Sequence, residues 1–189
     1  MAYGSALIDT ISSSGNLLIT GNVISSGTLT SSAGATYPIV SGTPQNTTSG
    51  TSIDFTGIPI WAKRVTIIFN GVSTSGTSLK LLQLGSGSTQ TTGYNATSTF
   101  LGATTGVTNS TAGFIIYSNT AVEIISGTIV LTLLSTNLWI ASGTVKNSTT
   151  YMSFAAGDVT LTGTLDRIRL TTVSGTDTFD AGSINIMYE

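Results

Sequence analysis

Short runs of alternating apolar and polar residues recur along the chain between clusters of Gly, Ser, Thr and Asn. Nowhere does a helical period run for about ten residues or more. In residues 64–70, Val65, Ile67 and Phe69 share one face, and Asn70-Gly71 then signals a tight turn. In residues 79–84, Leu79, Leu81 and Gln83 oppose Lys80, Leu82 and Leu84. Residues 112–117, 122–125 and 128–134 are further runs, and 137–145 carries Trp139. Residues 165–170 turn Ile168 and Leu170 inward and Arg167 and Arg169 outward. In 183–188, Ile184, Ile186 and Tyr188 keep one phase. About eight strands separated by turn signals predict an all-β fold, an antiparallel β-sandwich of jelly-roll type. Residues 90–106, rich in Gly and Thr, read as a loop, which makes Tyr94 and Phe100 candidates for surface contact.

The first 36 residues differ. Gly15, Gly21 and Gly27 recur at a constant spacing, and Leu17, Val23 and Leu29 follow in phase. So few short repeats bury too little to stand alone in water. Wrapped with symmetry mates, Leu17, Val23 and Leu29 would form a thin apolar axis between subunits. The competing reading is a hairpin on the main domain with Gly21-Asn22 as its turn. The expected organisation is an extended, Gly-rich N-terminal β arm for trimerisation or attachment over residues 1–36. A linker and first strand follow over 37–50, and the sandwich over 51–189.

Composition narrows the chemistry. Ser and Thr make up about a third of the chain, which suits pleated surfaces and tight turns. Apolar residues are 40%, enough for a core. No Cys is present, which excludes disulfides and thiolate metal sites, and no His, which removes the commonest general base. Six scattered basic residues and a net charge of −2 argue against nucleic acid as a partner. No basic n-region and apolar h-region follow Met1, and no apolar run approaches the ~20 residues that span a bilayer. The expectation is synthesis in a host cytoplasm without membrane insertion.

Two segments carry a resemblance. One runs Phe55-Thr56-Gly57-Ile58-Pro59-Ile60-Trp61-Ala62-Lys63-Arg64-Val65-Thr66, then Phe69-Asn70-Gly71-Val72-Ser73. The other runs from Gly163-Thr164-Leu165-Asp166-Arg167-Ile168-Arg169-Leu170 to Asp180-Ala181-Gly182-Ser183-Ile184-Asn185-Ile186. They resemble a module at the C-terminal end of many small virion proteins of tailed bacteriophages, over roughly residues 50–189. The resemblance implies a component of the particle surface, a fibre or decoration protein, and brings no catalytic residue with it.

Candidate sites follow from the remaining polar and aromatic groups. Asp177 and Asp180, in a Gly-rich turn, are the best carboxylate pair for hydrolysis or for calcium, and Asp equally suits a turn by capping backbone N–H groups. Trp61 and Trp139 read as core or corner residues. Tyr94 and Phe100 are the better candidates for a glycan contact. Arg167 and Arg169 share a strand face, where their planar forks would pair with a neighbouring subunit or form weak solvated ion pairs.

The expected protein is a non-enzymatic structural component of a phage particle's exterior, without cofactor or metal. It is a homotrimer that decorates the capsid as a cement protein or forms a short head fibre, bound to major capsid or tail proteins. The alternative is a tail-fibre or receptor-binding tip that touches host surface glycans. A reading from another class, a secreted carbohydrate-binding or hydrolytic domain, would need a signal peptide and clustered aromatics or acids.

Overall fold

A computed structural model describes residues 29–31, 34–36, 39–147 and 151–189. The chain divides into two compact units, Met1–Tyr37 and Pro38–Glu189. In the first, β1 (Leu29–Ser31) pairs antiparallel with β2 (Gly34–Thr36), which sets Leu29 opposite Thr36. Leu17 and Val23, expected in phase with Leu29, lie outside the described residues.

The second unit is a β-sandwich of two antiparallel sheets. The five-stranded sheet has β11 (Phe114–Ile116), β7 (Lys80–Ser86), β15 (Arg167–Thr172) and β5 (Ile53–Thr56) in that order, with β8 (Ser88–Thr89) hairpinned onto β7. The nine-stranded sheet begins with β10 (Thr105–Ser110), β9 (Tyr94–Leu101), β14 (Tyr151–Thr160) and β13 (Leu138–Asn147). It continues with β12 (Ile125–Ser135), β6 (Arg64–Thr74) and β16 (Phe179–Tyr188). Two short strands, β3 (Val40–Ser41) and β4 (Gln45–Asn46), finish that side by pairing with β16. Among the described residues there is no helix.

Apart from β16 with the short β3 and β4 beyond β6, and β8 on β7, the strand order is that of a jelly roll with one strand multiplied. The small sheet takes β5, β15, β7 and β11 from distant parts of the chain, and the large sheet takes β6, then the β12–β13–β14 meander, then β9 and β10. In an eight-stranded jelly roll a single strand fills the place of the meander. Three strands preserve the antiparallel match to β6 on one side and β9 on the other, where two would break it. The β12–β13 turn passes through Thr136, the one non-glycine residue with positive φ (38°) among the described residues.

Two segments differ from the sequence reading. Residues 90–106 are not a loop: they contain β9 and the start of β10. Residues 151–160 form β14, which alternation did not reveal. The cause is the same in both. Between the buried Tyr94 and Val159, their core-facing positions are Ala96 and Ser98 in β9, and Ser153, Ala155 and Gly157 in β14, too small to register as an apolar stripe. Small residues suit the place, because β11 of the other sheet packs over β9 and β14 with the bulky Phe114 and Ile116.

The core is one cluster drawn from both sheets, with Val65, Ile67, Leu82, Leu84, Ile129, Leu131 and Ile168 almost fully buried. At Gly143 of β13 a Cβ would lie 2.3 Å from the Thr128 carbonyl oxygen of β12. Gly143→Ala should therefore lower unfolding stability by ~1–3 kcal/mol. Urea denaturation measures this, and an unchanged midpoint would contradict the close approach of β12 and β13.

Candidate functional site

Arg169 and Asp54 face each other across the β15–β5 ladder. Arg169 donates through Nε to Asp54 Oδ1 at 2.7 Å and through Nη2 to Asp54 Oδ2 at 2.9 Å, a two-pronged pair. Arg167 donates through Nε to Asp166 Oδ1 at 2.8 Å, and the other oxygen of Asp166 accepts the Gly87 N–H at 2.9 Å. The hydrogen bond from Arg167 holds the Asp166 carboxyl below its usual range, and the carboxylates raise both guanidinium groups. The two arginines expected to reach a neighbouring subunit thus have carboxylate partners within their own chain.

Tyr94 is not a surface residue, contrary to the expectation. It is 2% exposed. Its position follows from the end of β11: Phe114 is the last residue paired to β7, opposite Leu82. Beyond that point the Leu84 N–H meets no described strand on that side, and it donates to the Tyr94 phenol oxygen at 2.6 Å. The phenol in turn donates to the Gln90 carbonyl at 3.1 Å. The Tyr94 ring meets Phe114 edge-on, with centroids 5.1 Å apart. Burial pushes the Tyr94 hydroxyl up from 10.0 to about 12, against a smaller opposing effect of its hydrogen bond to Leu84.

Phe100, the other candidate contact, is half-buried. It stacks on Tyr117 with centroids 4.3 Å apart and lies 5.4 Å from Tyr151. Asn119, exposed, donates to the Tyr117 hydroxyl at 2.7 Å. The Tyr151 hydroxyl and, on the strand directly opposite, the Asn147 side-chain oxygen are buried without a hydrogen-bond partner. Sequence spacing could not join these three rings, since they come from β9, β14 and the segment after β11.

A cleft of about 500 Å³ opens on the other flank, between β5 and the β3–β4 segment. Phe55, Ile58, Ile186 and Tyr188 give it an apolar lining, and Gln45 spans it by donating to the Asp54 carbonyl at 2.8 Å. Trp61, partly buried, tilts against Tyr188 at 5.6 Å, and Trp139 is buried in the core. The volume falls within the range of small-ligand sites. Its single acid, Asp54, is already paired with Arg169, so the cleft is equipped for binding by hydrogen bonds and apolar contact.

Among the described residues Arg64 pairs with Glu189, and the remaining titratable groups form no ion pair. Lys80 is wholly buried and donates to the Ser118 hydroxyl at 2.8 Å. Burial lowers its pKa, opposed in part by Glu123, Asp180 and Asp177. Asp177 accepts the Ser78 N–H at 2.8 Å, the capping role that suits Asp in a turn. Among the described residues no three acidic side chains gather into a metal-binding group. No protein-family model matches this chain, and no curated protein or solved structure matches it.

Tyr94 sets an alkaline limit on stability. Its pKa is raised on folding, so its contribution is complete below pH 10 and is lost as pH rises from 10 through about 12. The loss should reach at most ~3 kcal/mol. Tyr94→Phe should flatten this part of the stability–pH curve while lowering stability at pH 7 by ~1–3 kcal/mol, because the Leu84 N–H loses its acceptor. Urea unfolding at pH 7, 9.5 and 11 measures both effects, and identical slopes for the two proteins would contradict the assignment.

Proposed function

We propose that this chain is a non-enzymatic structural protein of the exterior of a tailed-phage particle. It works as a homotrimer that decorates the capsid or forms a short head fibre. The observation that carries the reading joins sequence to fold. The two segments that resemble the phage virion module lie about a hundred residues apart, yet they become neighbours in space. β5 pairs with β15 in one sheet, and β6 pairs with β16 in the other. That the two stretches carrying the resemblance most clearly pair with each other in both sheets supports a shared structural unit.

The outward side chains of the large sheet also suit such a role. Cross-strand positions pair polar groups, such as Thr97 donating to Asn109 at 2.8 Å. Asn95 donates to the Asp158 carboxylate at 3.0 Å. Hydroxyl and amide rows solvate a long sheet with little charge, so its solubility depends weakly on salt. A second reading, a fibre tip that contacts host glycans, is favoured by the Phe100–Tyr117–Tyr151 cluster with Asn119 beside it, since aromatic faces and amides together suit sugars.

Imaging of particles carrying a label on this chain tests the proposal. Decoration predicts label over the whole capsid at hundreds of copies. About a dozen copies at the tail would favour the fibre-tip reading, and absence from purified particles would overturn both.

A further inference from the structure

We propose that the β10 flank of the sandwich is the surface on which copies of this chain meet, an inference that rests on the self-assembly proposed above. β10 ends the strand order of the large sheet, and no described strand pairs with its outer side. It keeps regular register with β9 along all six of its residues, without a bulge. Edge strands that must stay single are blunted by charge, Pro, a bulge or shortness. β10, with the sequence Thr-Gly-Val-Thr-Asn-Ser, has neither charge nor Pro.

Apolar side chains collect beside this edge on the outer face. Val107 is 69% exposed, Leu101 56%, Met152 45% and Phe154 40%. The ladder sets Leu101 opposite Met152, and it sets Thr99 between Val107 and Phe154. The four therefore occupy adjoining positions on one corner of the sheet. An exposed patch of this kind next to an open edge marks an interaction site.

Charge identifies the partner. Residues 81–122, which supply β8 to β11 and all of β7 but the buried Lys80, contain no Asp, Glu, Lys or Arg. The charges that border this flank are Asp158, opposite Asn95 and accepting its amide, and Lys146, opposite Met152, one of each sign. A neutral flank offers no steering to an acidic or basic partner, and it meets its own copy without like-charge repulsion. The charges of the opposite flank are taken up in intrachain pairs, Arg64 with Glu189, Arg169 with Asp54 and Arg167 with Asp166. Three neutral flanks gathered around one axis would hide Val107 and Leu101 and leave the paired charges facing water.

The test uses the full chain and light scattering after size exclusion. Wild-type protein should run as an oligomer, Val107→Lys should fall to the mass of one chain, and Thr56→Lys on the opposite flank should keep the wild-type mass. A folded Val107→Lys protein that keeps the wild-type mass overturns the proposal and leaves self-assembly standing. A wild-type monomer at every concentration overturns both. If Val107→Lys fails to fold, Val107→Cys decides, because the chain has no native cysteine. Oxidation should link its copies far more readily than those of Thr56→Cys, and equal linking overturns the proposal. A Val107→Lys oligomer of wild-type mass that no longer attaches to particles assigns the flank to another virion protein and also overturns it.

Discussion

The closure of the sandwich turns on one buried contact between its sheets. Tyr94 starts β9 in the large sheet, and its hydroxyl accepts the Leu84 N–H of β7 in the small one at 2.6 Å. An orphaned N–H in this position would cost about as much as a lost hydrogen bond. The same ring packs edge-on against Phe114, the residue at which β11 stops covering β7. Apolar packing alone would allow the sheets to slide, whereas a directional bond at the end of β11 fixes how β9 lies across β7. The position of β9 in turn places β10 at the rim and β14 under β11, so the register of that whole half follows from it.

The legible part of the fold was the half with large side chains. Val65, Ile67 and Phe69 in β6, Ile168 and Leu170 in β15, and Ile184 and Ile186 in β16 alternate openly and are buried as their spacing predicts. The other half hid because most of its inward positions, Tyr94 and Val159 apart, are Ala, Ser and Gly, which suit the bulk of Phe114 and Ile116 across the core. A lone tyrosine in a Thr-rich stretch looks like a loop aromatic. Only the end of β11, a tertiary fact, makes it a core residue. Arg167 and Arg169 were correctly placed on an outward face, but their partners depended on the β15–β5 register and on the turn geometry around Asp166. The Phe100–Tyr117–Tyr151 cluster was beyond reach for the same reason.

The two flanks of the sandwich divide the surface chemistry between them. On the β5–β16 flank, Arg64 pairs with Glu189 and Arg169 with Asp54, and Asp54 borders a cleft of about 500 Å³. On the β9–β10 flank, charge is missing and apolar side chains stand in the open. A monomer gains nothing from the second arrangement and risks aggregation through it. An assembly of identical subunits could use it, as the proposed role would require association with copies of the chain and with little else. The hydroxyl and amide rows on the rest of the large sheet meet that second requirement without adding charge.

Amide hydrogen exchange along β10, followed over a wide range of protein concentration, tests this account most directly. In a single copy no described strand pairs with one side of β10, and its outward amides should exchange quickly. If copies cover it, they should become as slow as the central amides of β12 and β13 once the protein is concentrated, and they should return to fast exchange on dilution. Fast exchange along β10 at every concentration, with β12 and β13 fully protected, would contradict it.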